Sequence, residues 1–297
     1  MASVSSTQPI RQPGLSNLLT KALRLCGLAA MCVLALIFAA PLLWLADVAF
    51  RPKSEIFSVP PKILSGPVTE TMKSYSLESF RQAIDRWDVG QAFFNSAFIT
   101  VSAIVLTILV CSLCAFAFAH MRFPGRDIVF VCLLATMMMP TVTMISPYYR
   151  VLRLYGLNNT YQGLIIPYSA SVFLLFLLRQ YFVKIPSSYI EAALMDGASM
   201  FRVWWQIILP LGKPALATLA IYQFRAVWND FLIPMIVLRN RALHTLPIKL
   251  QFMDSQNYNV PFDAIMATSL IAVLIPVVFF FLFQKQFIEG LSGGLKG

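Results

Sequence analysis

Charged side chains are scarce in this sequence, because Asp, Glu, Lys and Arg together make up only 12% of its 297 residues. A soluble globular domain carries about 25% charged residues. Hydrophobic residues reach 58%, and the mean hydropathy is +0.72. A protein core of this size cannot enclose so much apolar surface, so the composition excludes an ordinary soluble domain. It predicts a chain whose apolar segments lie in lipid.

The residues used for catalysis and metal binding are also few. The two histidines, His120 and His244, lie in separate predicted loops, and no catalytic triad or metal cluster can be assembled around them. The sequence has no G-x-x-x-x-G-K-[ST] motif, so it lacks a phosphate-binding loop for ATP. The pair Cys111-x-x-Cys114 has redox or zinc spacing, but it lies in an apolar run without a second pair of ligands, which favours simple packing. We therefore expect no enzymatic activity, no metal ion and no cofactor.

Basic residues outnumber acidic ones, 23 to 13, and give a formal net charge of +10. Nucleic-acid binding would require Lys and Arg gathered on one face with aromatic residues between them. Here the basic residues lie mainly between long apolar runs, where membrane proteins use them to flank their spans. The charge therefore indicates a lipid bilayer as the partner, and not a nucleic acid.

Long apolar runs recur along the chain. A helix of roughly 20 residues crosses about 30 Å of hydrocarbon, and backbone groups within lipid must be paired internally. The runs are continuous rather than alternating, which argues against a transmembrane barrel. The sequence therefore predicts an all-α membrane protein with six transmembrane helices, at Cys26–Phe50, Phe93–Ala119, Ile128–Tyr148, Tyr161–Phe182, Ala215–Leu238 and Ala264–Phe287.

The predicted spans divide the chain into four parts. Residues 1–20 are polar and rich in Pro and Ser, and we expect a disordered tail there. Residues 21–92 would hold the first span and a long loop on the far side of the membrane. The first apolar run is too long for a cleaved signal peptide, so a retained anchor is expected. Residues 93–290 would form the membrane core, and 291–297 a short tail.

An even number of spans places both termini on one side of the membrane. Counting Lys and Arg should identify that side. The termini and the loops on their side carry 11, the opposite loops also carry 11, and Arg225 lies within the fifth predicted span. Charge alone therefore leaves the orientation open.

The polar segment after the fourth predicted span is the most informative part of the sequence. Ser188 and Glu191 have the spacing of a capping box, which predicts that a helix starts there. Gly197 is placed to end this helix in the left-handed conformation. Ser199 can cap a second short helix that runs through Trp204. We expect a helix, a sharp turn and a second helix at the membrane surface.

Two interpretations fit the residues of this segment. Ala192 and Ala193 are small enough for a partner surface to approach the backbone, and four apolar side chains could anchor it: Tyr189, Ile190, Leu194 and Met200. Such a knob suits docking into a groove of another protein. An amphipathic helix in the membrane interface explains the same pattern, with Glu191 only as a cap. The residues themselves do not decide between the two.

A spaced signature coincides with this segment: Glu191-Ala192-Ala193, three residues, Gly197, nine residues, Ile207, one residue and Leu209-Pro210. It resembles the EAA signature of permease subunits of ATP-binding-cassette (ABC) importers. The resemblance implies the type I importer permease fold, in which this loop is cytoplasmic and forms a coupling helix that docks into an ATPase subunit. It also implies cytoplasmic termini. The coupling residues would be Ser188, Glu191, Ala192, Ala193, Asp196, Gly197, Leu209 and Pro210.

Further similarity extends from about Asn95 to the C-terminus. Residues 114–125, 228–234 and 290–297 resemble segments of carbohydrate importers, in particular the second, six-span permease of the maltose type, although His120 replaces the usual basic residue. The resemblance implies an inner-membrane permease for a carbohydrate that works by alternating access. Its partners would be a second permease in a heterodimer, two ATPase subunits and an extracytoplasmic solute-binding protein.

Other substrates and other classes of protein stay open at this point. Similar permeases carry glycerol phosphate or other polar solutes, which are therefore the alternative substrates. An ion-driven secondary carrier would often have inverted repeats and intramembrane acids, but the sequence has no recognisable repeat and few such acids. A membrane enzyme or scaffold is a third class, which loss of every partner on gentle purification would favour.

Ionisable residues within a span are functional candidates, because each costs about 2.5–3.5 kcal/mol at the centre of a membrane helix. Arg225 and Asp230 form the clearest pair, in the fifth predicted span, and Asn229 adds a polar group beside them. A separation of five residues rotates Arg225 and Asp230 about 140° apart, so they should not face each other. We predict that the group lines the translocation path. The alternative is that Arg225 extends to the interface and Asp230 already lies there.

Overall fold

The computed structural model describes residues 15–56, 75–255 and 260–295 of the chain. Within these ranges the regular structure is helical and contains no β-strand, so the predicted all-α class is confirmed. The helices are α1 (Leu15–Phe50), α2 (Lys53–Ile56), α3 (Glu78–Trp87), α4 (Val89–His120), α5 (Arg126–Thr136), α6 (Ile145–Leu154), α7 (Gln162–Tyr168), α8 (Val172–Phe182), α9 (Ser187–Met195), α10 (Met200–Val203), α11 (Leu209–Leu211), α12 (Lys213–Trp228), α13 (Leu232–Val237), α14 (Leu246–Asp254) and α15 (Phe262–Leu295).

Four of the predicted spans are continuous segments long and apolar enough to cross a membrane. They are Thr20–Phe50 in α1, Val89–His120 in α4, Gln162–Phe182 in α7 and α8, and Phe262–Gln284 in α15. The predicted first, second, fourth and sixth spans are therefore confirmed. Two bent pairs of helices bring the number to six if each pair is counted as one span. The first pair overlaps the predicted third span, whereas the second, Met200–Leu211 with Lys213–Trp228, shares only its second helix with the predicted fifth span.

The third and fifth predicted spans are wrong as single straight helices. The third is broken at Pro140, and its halves, Arg126–Thr136 and Thr141–Leu154, meet at 98°. Proline cannot donate a backbone N–H to the preceding turn, which explains the bend. In the fifth predicted span the first helix, α12, has 16 residues and ends at Trp228. The chain becomes helical again in α13. The helix before α12, Met200–Leu211, meets Lys213–Trp228 at 80°.

The N-terminal helix begins earlier than the sequence predicts. Helix α1 starts at Leu15, so the predicted disordered tail is wrong for residues 15–20, whereas residues 1–14 lie outside the described residues. The predicted long loop contains α2 and α3, and residues 57–74 are likewise not described. At the end of α1 an Asp47 carboxylate oxygen lies 2.9 Å from Nε of the buried Arg51, and the Tyr75 hydroxyl donates to Asp47 at 2.6 Å. This contact fastens α1 to the chain that follows the loop.

Helix α4 lies at the centre of the bundle. It packs against α7, α8 and α12, while α1 packs along α15 at the periphery. Several of its buried residues are small, namely Ala92, Ser96, Ala103, Thr107, Ser112 and Ala115. Small side chains let helix backbones approach closely, which is how helices associate where lipid leaves no hydrophobic driving force between them.

A fully buried asparagine fastens one end of α4. The Asn95 side-chain amide donates to the carbonyls of Ala242 and His244 at 2.8 and 2.9 Å. Its oxygen accepts from Gln91 Nε2 at 2.9 Å and from the Tyr161 hydroxyl at 2.8 Å. All four hydrogen bonds available to an amide are therefore made, which fixes the start of α7 and the turn before α14 against α4.

The other end of α4 lies against the end of α8. Nε of Arg179 donates to the Phe118 carbonyl at 3.4 Å, and its guanidinium lies over the Phe130 ring at 4.3 Å. The cluster of buried residues here includes Phe116, Phe118 and Phe182. The segment that carries the EAA-like signature follows α8 directly, so it is presented at this end of the bundle.

Candidate functional site

Helix α9 begins at Ser187, which is two residues earlier than the predicted capping box requires. Pro186 is the N-cap residue, in an extended conformation, and no side chain accepts a hydrogen bond from the first turn. The capping box of Ser188 and Glu191 is therefore wrong. The proline fixes its own φ and starts the helix, which leaves Ser188 inside the first turn with its side chain exposed.

Gly197 ends α9 as predicted. Its φ is +78°, its N–H donates to the Leu194 carbonyl at 3.0 Å, and the Ala198 N–H donates to the Ala193 carbonyl at 2.9 Å. These two bonds form a Schellman motif, which pairs carbonyls that the helix end would otherwise leave without partners. A Cβ atom at Gly197 would meet no heavy atom within 4 Å, so the backbone conformation alone calls for glycine.

The second short helix is also confirmed. The Ser199 side chain accepts a hydrogen bond from the Arg202 N–H at 3.3 Å and caps α10. A π-helical turn, Trp204–Ile208, and α11 continue the chain to Gly212. Trp204 and Ile208 are buried in this part, while Leu209 packs on the same core cluster and Pro210 is exposed.

We call residues 187–211 the coupling segment, after the role that the EAA-like signature implies. This segment has one buried and one exposed side. Ile190 is buried, and Ala193, Ala198 and Met200 pack against the cluster that contains Phe182. Two of the four predicted anchors, Ile190 and Met200, therefore hold the segment to its own chain. The exposed side presents Tyr189, Glu191, Ala192, Leu194, Met195, Asp196, Phe201 and Trp205.

The exposed side of α9 combines an acidic residue with large apolar side chains. Ser188, Glu191, Ala192 and Met195 have the spacing of one helix face, and Met195 is 89% exposed. Phe201, 65% exposed, lies just beyond the turn. Exposed apolar residues bordered by polar ones at a surface usually mark a contact with another molecule.

The three predicted path residues separate into two environments. Arg225 and Asn229 are exposed on the surface of this chain, one turn apart, and Asn229 Nδ2 donates to the Arg225 carbonyl at 2.9 Å. Asp230 is half-buried instead, and accepts a hydrogen bond from the Tyr168 hydroxyl at 2.6 Å. The structure therefore does not bring the three side chains together at one point.

Asp230 also starts helix α13. One of its oxygens accepts from the backbone N–H groups of Leu232 and Ile233, at 3.0 and 3.4 Å. An Asp followed closely by Pro234 in a first turn is a helix-start signal that the sequence contained. It was missed because the surrounding run is apolar enough to suggest one uninterrupted span.

A polar junction links this break to the break between α7 and α8. Gln223 is buried, and its Nε2 donates to the Tyr168 carbonyl at 2.8 Å. Thr107 on the central helix donates to the same carbonyl at 3.2 Å. Sequence reasoning did not identify Gln223 or Tyr168. A glutamine within an apolar run was the available signal, but its partner lies on another helix.

Comparison with known proteins identifies the family. The family described as the binding-protein-dependent transport system inner membrane component matches residues 108–292. The arabinooligosaccharides transport system permease protein AraQ of Bacillus subtilis is 33% identical over 267 residues, which are 89% of this chain and 93% of AraQ. The sn-glycerol-3-phosphate transport system permease protein UgpE of Rhizobium meliloti is 34% identical over 229 residues, 76% of this chain and 82% of UgpE.

A solved structure has the same fold. It belongs to a bacterial ABC transporter involved in the import of the acidic polysaccharide alginate, and it superposes with a TM-score of 0.78 at 20% identity. The match covers 94% of this chain and 99% of that one. The fold is therefore that of a type I ABC importer permease.

The chain is a member of the family of binding-protein-dependent inner-membrane transport components. It is a permease of an ABC importer, a transport subunit and not an enzyme. A protein of this kind works with a partner permease, an ATPase and a solute-binding protein.

Proposed function

We propose that the coupling segment receives the motion of an ATPase subunit and passes it to the membrane helices. The observation that carries this proposal is the exposed side of α9 and α10, where Met195 and Phe201 project beside Glu191 while Ile190 fixes the opposite side to the bundle. A groove on a partner can take such a face of a helix. This arrangement favours docking of α9 into a partner protein rather than burial of α9 in the membrane interface.

The buried side of the segment supplies the mechanical link. Ile190 and Val203 belong to the cluster that includes Leu178 and Phe182 of α8 and Leu219 of α12. Close-packed interiors move between discrete arrangements rather than deform gradually. A shift of α9 would therefore move the ends of two spans together, which is what rocking between inward-open and outward-open states needs.

Docking of the coupling segment onto an ATPase subunit would also fix the orientation of the chain in the membrane. ATPase subunits bind ATP in the cytoplasm, so the end of the bundle that presents the coupling segment is the cytoplasmic end. With six spans both termini lie there too. On this proposal, the Asn95 end of the bundle faces the outside of the inner membrane.

Arg225 and Asn229 support a contact with a second, different permease along the translocation path. Among the described residues, the Arg225 guanidinium has no hydrogen-bond acceptor and no carboxylate partner. An arginine at the centre of a membrane helix costs about 2.5–3.5 kcal/mol when it faces lipid. A partner permease or a water-filled path on this face would remove that cost. Asp230 instead holds the helix break in place through Tyr168 and α13.

We propose a carbohydrate as the substrate, with glycerol phosphate as the alternative. The names of similar proteins support both: AraQ serves arabinooligosaccharides, and UgpE serves sn-glycerol 3-phosphate. The full importer would then contain this chain, a second permease, two ATPase subunits and an extracytoplasmic binding protein.

Uptake by cells that lack only this chain tests the proposed substrate and the energy source. We expect such cells to lose uptake of a labelled arabinooligosaccharide at least tenfold and to recover it when the chain is restored. Loss of glycerol 3-phosphate uptake alone would establish the alternative substrate. Uptake that survives depletion of ATP but collapses with a protonophore would contradict an ATP-driven importer.

A further inference from the structure

The end of the bundle opposite the coupling segment contains a cavity of about 670 Å³. Its walls come from the corner between α3 and α4, the start of α7, the turn at residues 241–244, and α14. Sites for small molecules usually have volumes of about 300–1,000 Å³. Neither the coupling segment nor the exposed face around Arg225 contributes to it.

The charge around this cavity is predominantly positive. Its described lining includes the cationic side chains of Arg86, Arg241 and Lys249, against one carboxylate, Asp88. Asp88 lies 3.9 Å from the Lys249 ammonium but is 79% exposed, so water screens this pair strongly. Burial, together with Lys249 and Arg241, lowers the pKa of His244 beside them. Even without Arg241, Arg86 and Lys249 outnumber the one carboxylate, so the described lining carries a net positive charge.

Aromatic faces accompany these cations. Trp87, Tyr161 and Phe252 line the same cavity. The His244 and Phe252 rings are nearly parallel, at 4° with centroids 5.2 Å apart. Flat aromatic surfaces can cover the C–H faces of a sugar ring, while cations bind an acidic substituent. The lining therefore suits a solute that has both a sugar ring and an acidic substituent.

The wall of the cavity is held in place without a ligand. Asn95 fixes the Tyr161 hydroxyl and also the carbonyls of Ala242 and His244, which belong to the turn that carries Arg241. Phe98 packs edge-on against Tyr161 at 5.4 Å. A ligand that binds here would pay little for ordering these groups.

We propose that this cavity is an outer binding site for an anionic sugar, a solute of hexose size that carries a carboxylate or a phosphate. Arg86 and Lys249 would bind the anion, and Trp87 and Tyr161 the ring. The inference rests on the proposed function for its orientation, since the cavity faces the outside only if the coupling segment is cytoplasmic. A concave, aromatic-lined cavity favours a small solute over an acidic side chain of the binding protein.

The test measures direct binding of glucuronate and of glucose to the assembled importer in lipid nanodiscs, by saturation-transfer NMR, without binding protein or ATP. We expect glucuronate to bind about tenfold more tightly than glucose, because the ring is shared and only the carboxylate differs. Arg86→Gln and Lys249→Gln should each weaken glucuronate binding about fivefold and leave glucose binding unchanged.

Arg81→Gln is the matched control, since Arg81 lies on the same helix as Arg86, is 77% exposed and does not line the cavity. A comparison of glycerol 3-phosphate with glycerol tests whether a phosphate can supply the negative charge in place of the carboxylate. Equal affinities for glucuronate and glucose would overturn the proposal, as would equal losses in Arg81→Gln and Arg86→Gln. This assay needs no ATP, so its failure would leave the coupling proposal standing.

Discussion

Replacing Gly197 with valine is expected to lower uptake at least tenfold while the assembled importer continues to hydrolyse ATP. Gly197 has φ +78°, a conformation that costs a side-chain-bearing residue about 1–2 kcal/mol and a β-branched one more. A new Cβ meets no atom within 4 Å, so the strain can be relieved only by changing the turn. That change breaks the two Schellman bonds and redirects α9 away from its partner.

Two variants control for general destabilisation. Gly197→Asn should retain most of the uptake, because asparagine tolerates the left-handed conformation. Gly156→Val introduces the same strain at φ +67°, also with open space around the new Cβ, but at the other end of the bundle. Normal uptake by well-expressed Gly197→Val would contradict the coupling role. An equal loss in Gly156→Val would assign the effect to folding.

The effect of replacing Arg225 with leucine on uptake depends on whether this side chain faces lipid or a second permease. If Arg225 faced lipid, the change would remove an unfavourable contribution, which reaches about 2.5–3.5 kcal/mol at a helix centre, and would leave uptake intact. If it faces a second permease or the path, the change removes the positive charge that the facing groups interact with, and uptake falls. We expect a fall of at least tenfold, measured with labelled substrate at matched expression.

Arg225→Lys separates the charge from the geometry. Lysine keeps the charge and can extend to the interface equally well, but it cannot make the two parallel hydrogen bonds of a guanidinium. Intermediate uptake is therefore expected. Full uptake by Arg225→Leu, together with higher thermal stability, would place this residue in lipid and remove it from the path.

Local signals in the sequence predicted the coupling segment well. The turn at Gly197 and the cap at Ser199 depend on hydrogen bonds within a few residues, so the pattern alone identifies them. The capping box failed because Pro186 is the N-cap two residues before Ser188, and a helix can have only one N-cap. Ile190 is buried because it packs against α8, and the order of residues within α9 carries no information about that contact.

Features that depend on distant contacts were harder to predict. The break after Trp228 is held by Asp230, whose partner Tyr168 lies 62 residues earlier in the chain. Asn95 likewise bonds with the turn before α14, 147 and 149 residues later. Hydropathy locates the spans, since lipid selects for apolar length, but it carries no information about which polar groups pair inside the bundle. The cavity above Asn95 was missed for the same reason.

Labelling of a Met195→Cys variant tests whether the coupling segment is cytoplasmic and contacts the ATPase subunits. Met195 is 89% exposed at the end of α9, and the parent chain should label little with a membrane-impermeant maleimide, because its five native cysteines lie in apolar helical segments. We expect labelling in inverted membrane vesicles stripped of ATPase subunits, and protection when those subunits are restored. Labelling in right-side-out vesicles, or labelling unaffected by the ATPase subunits, would contradict this expectation.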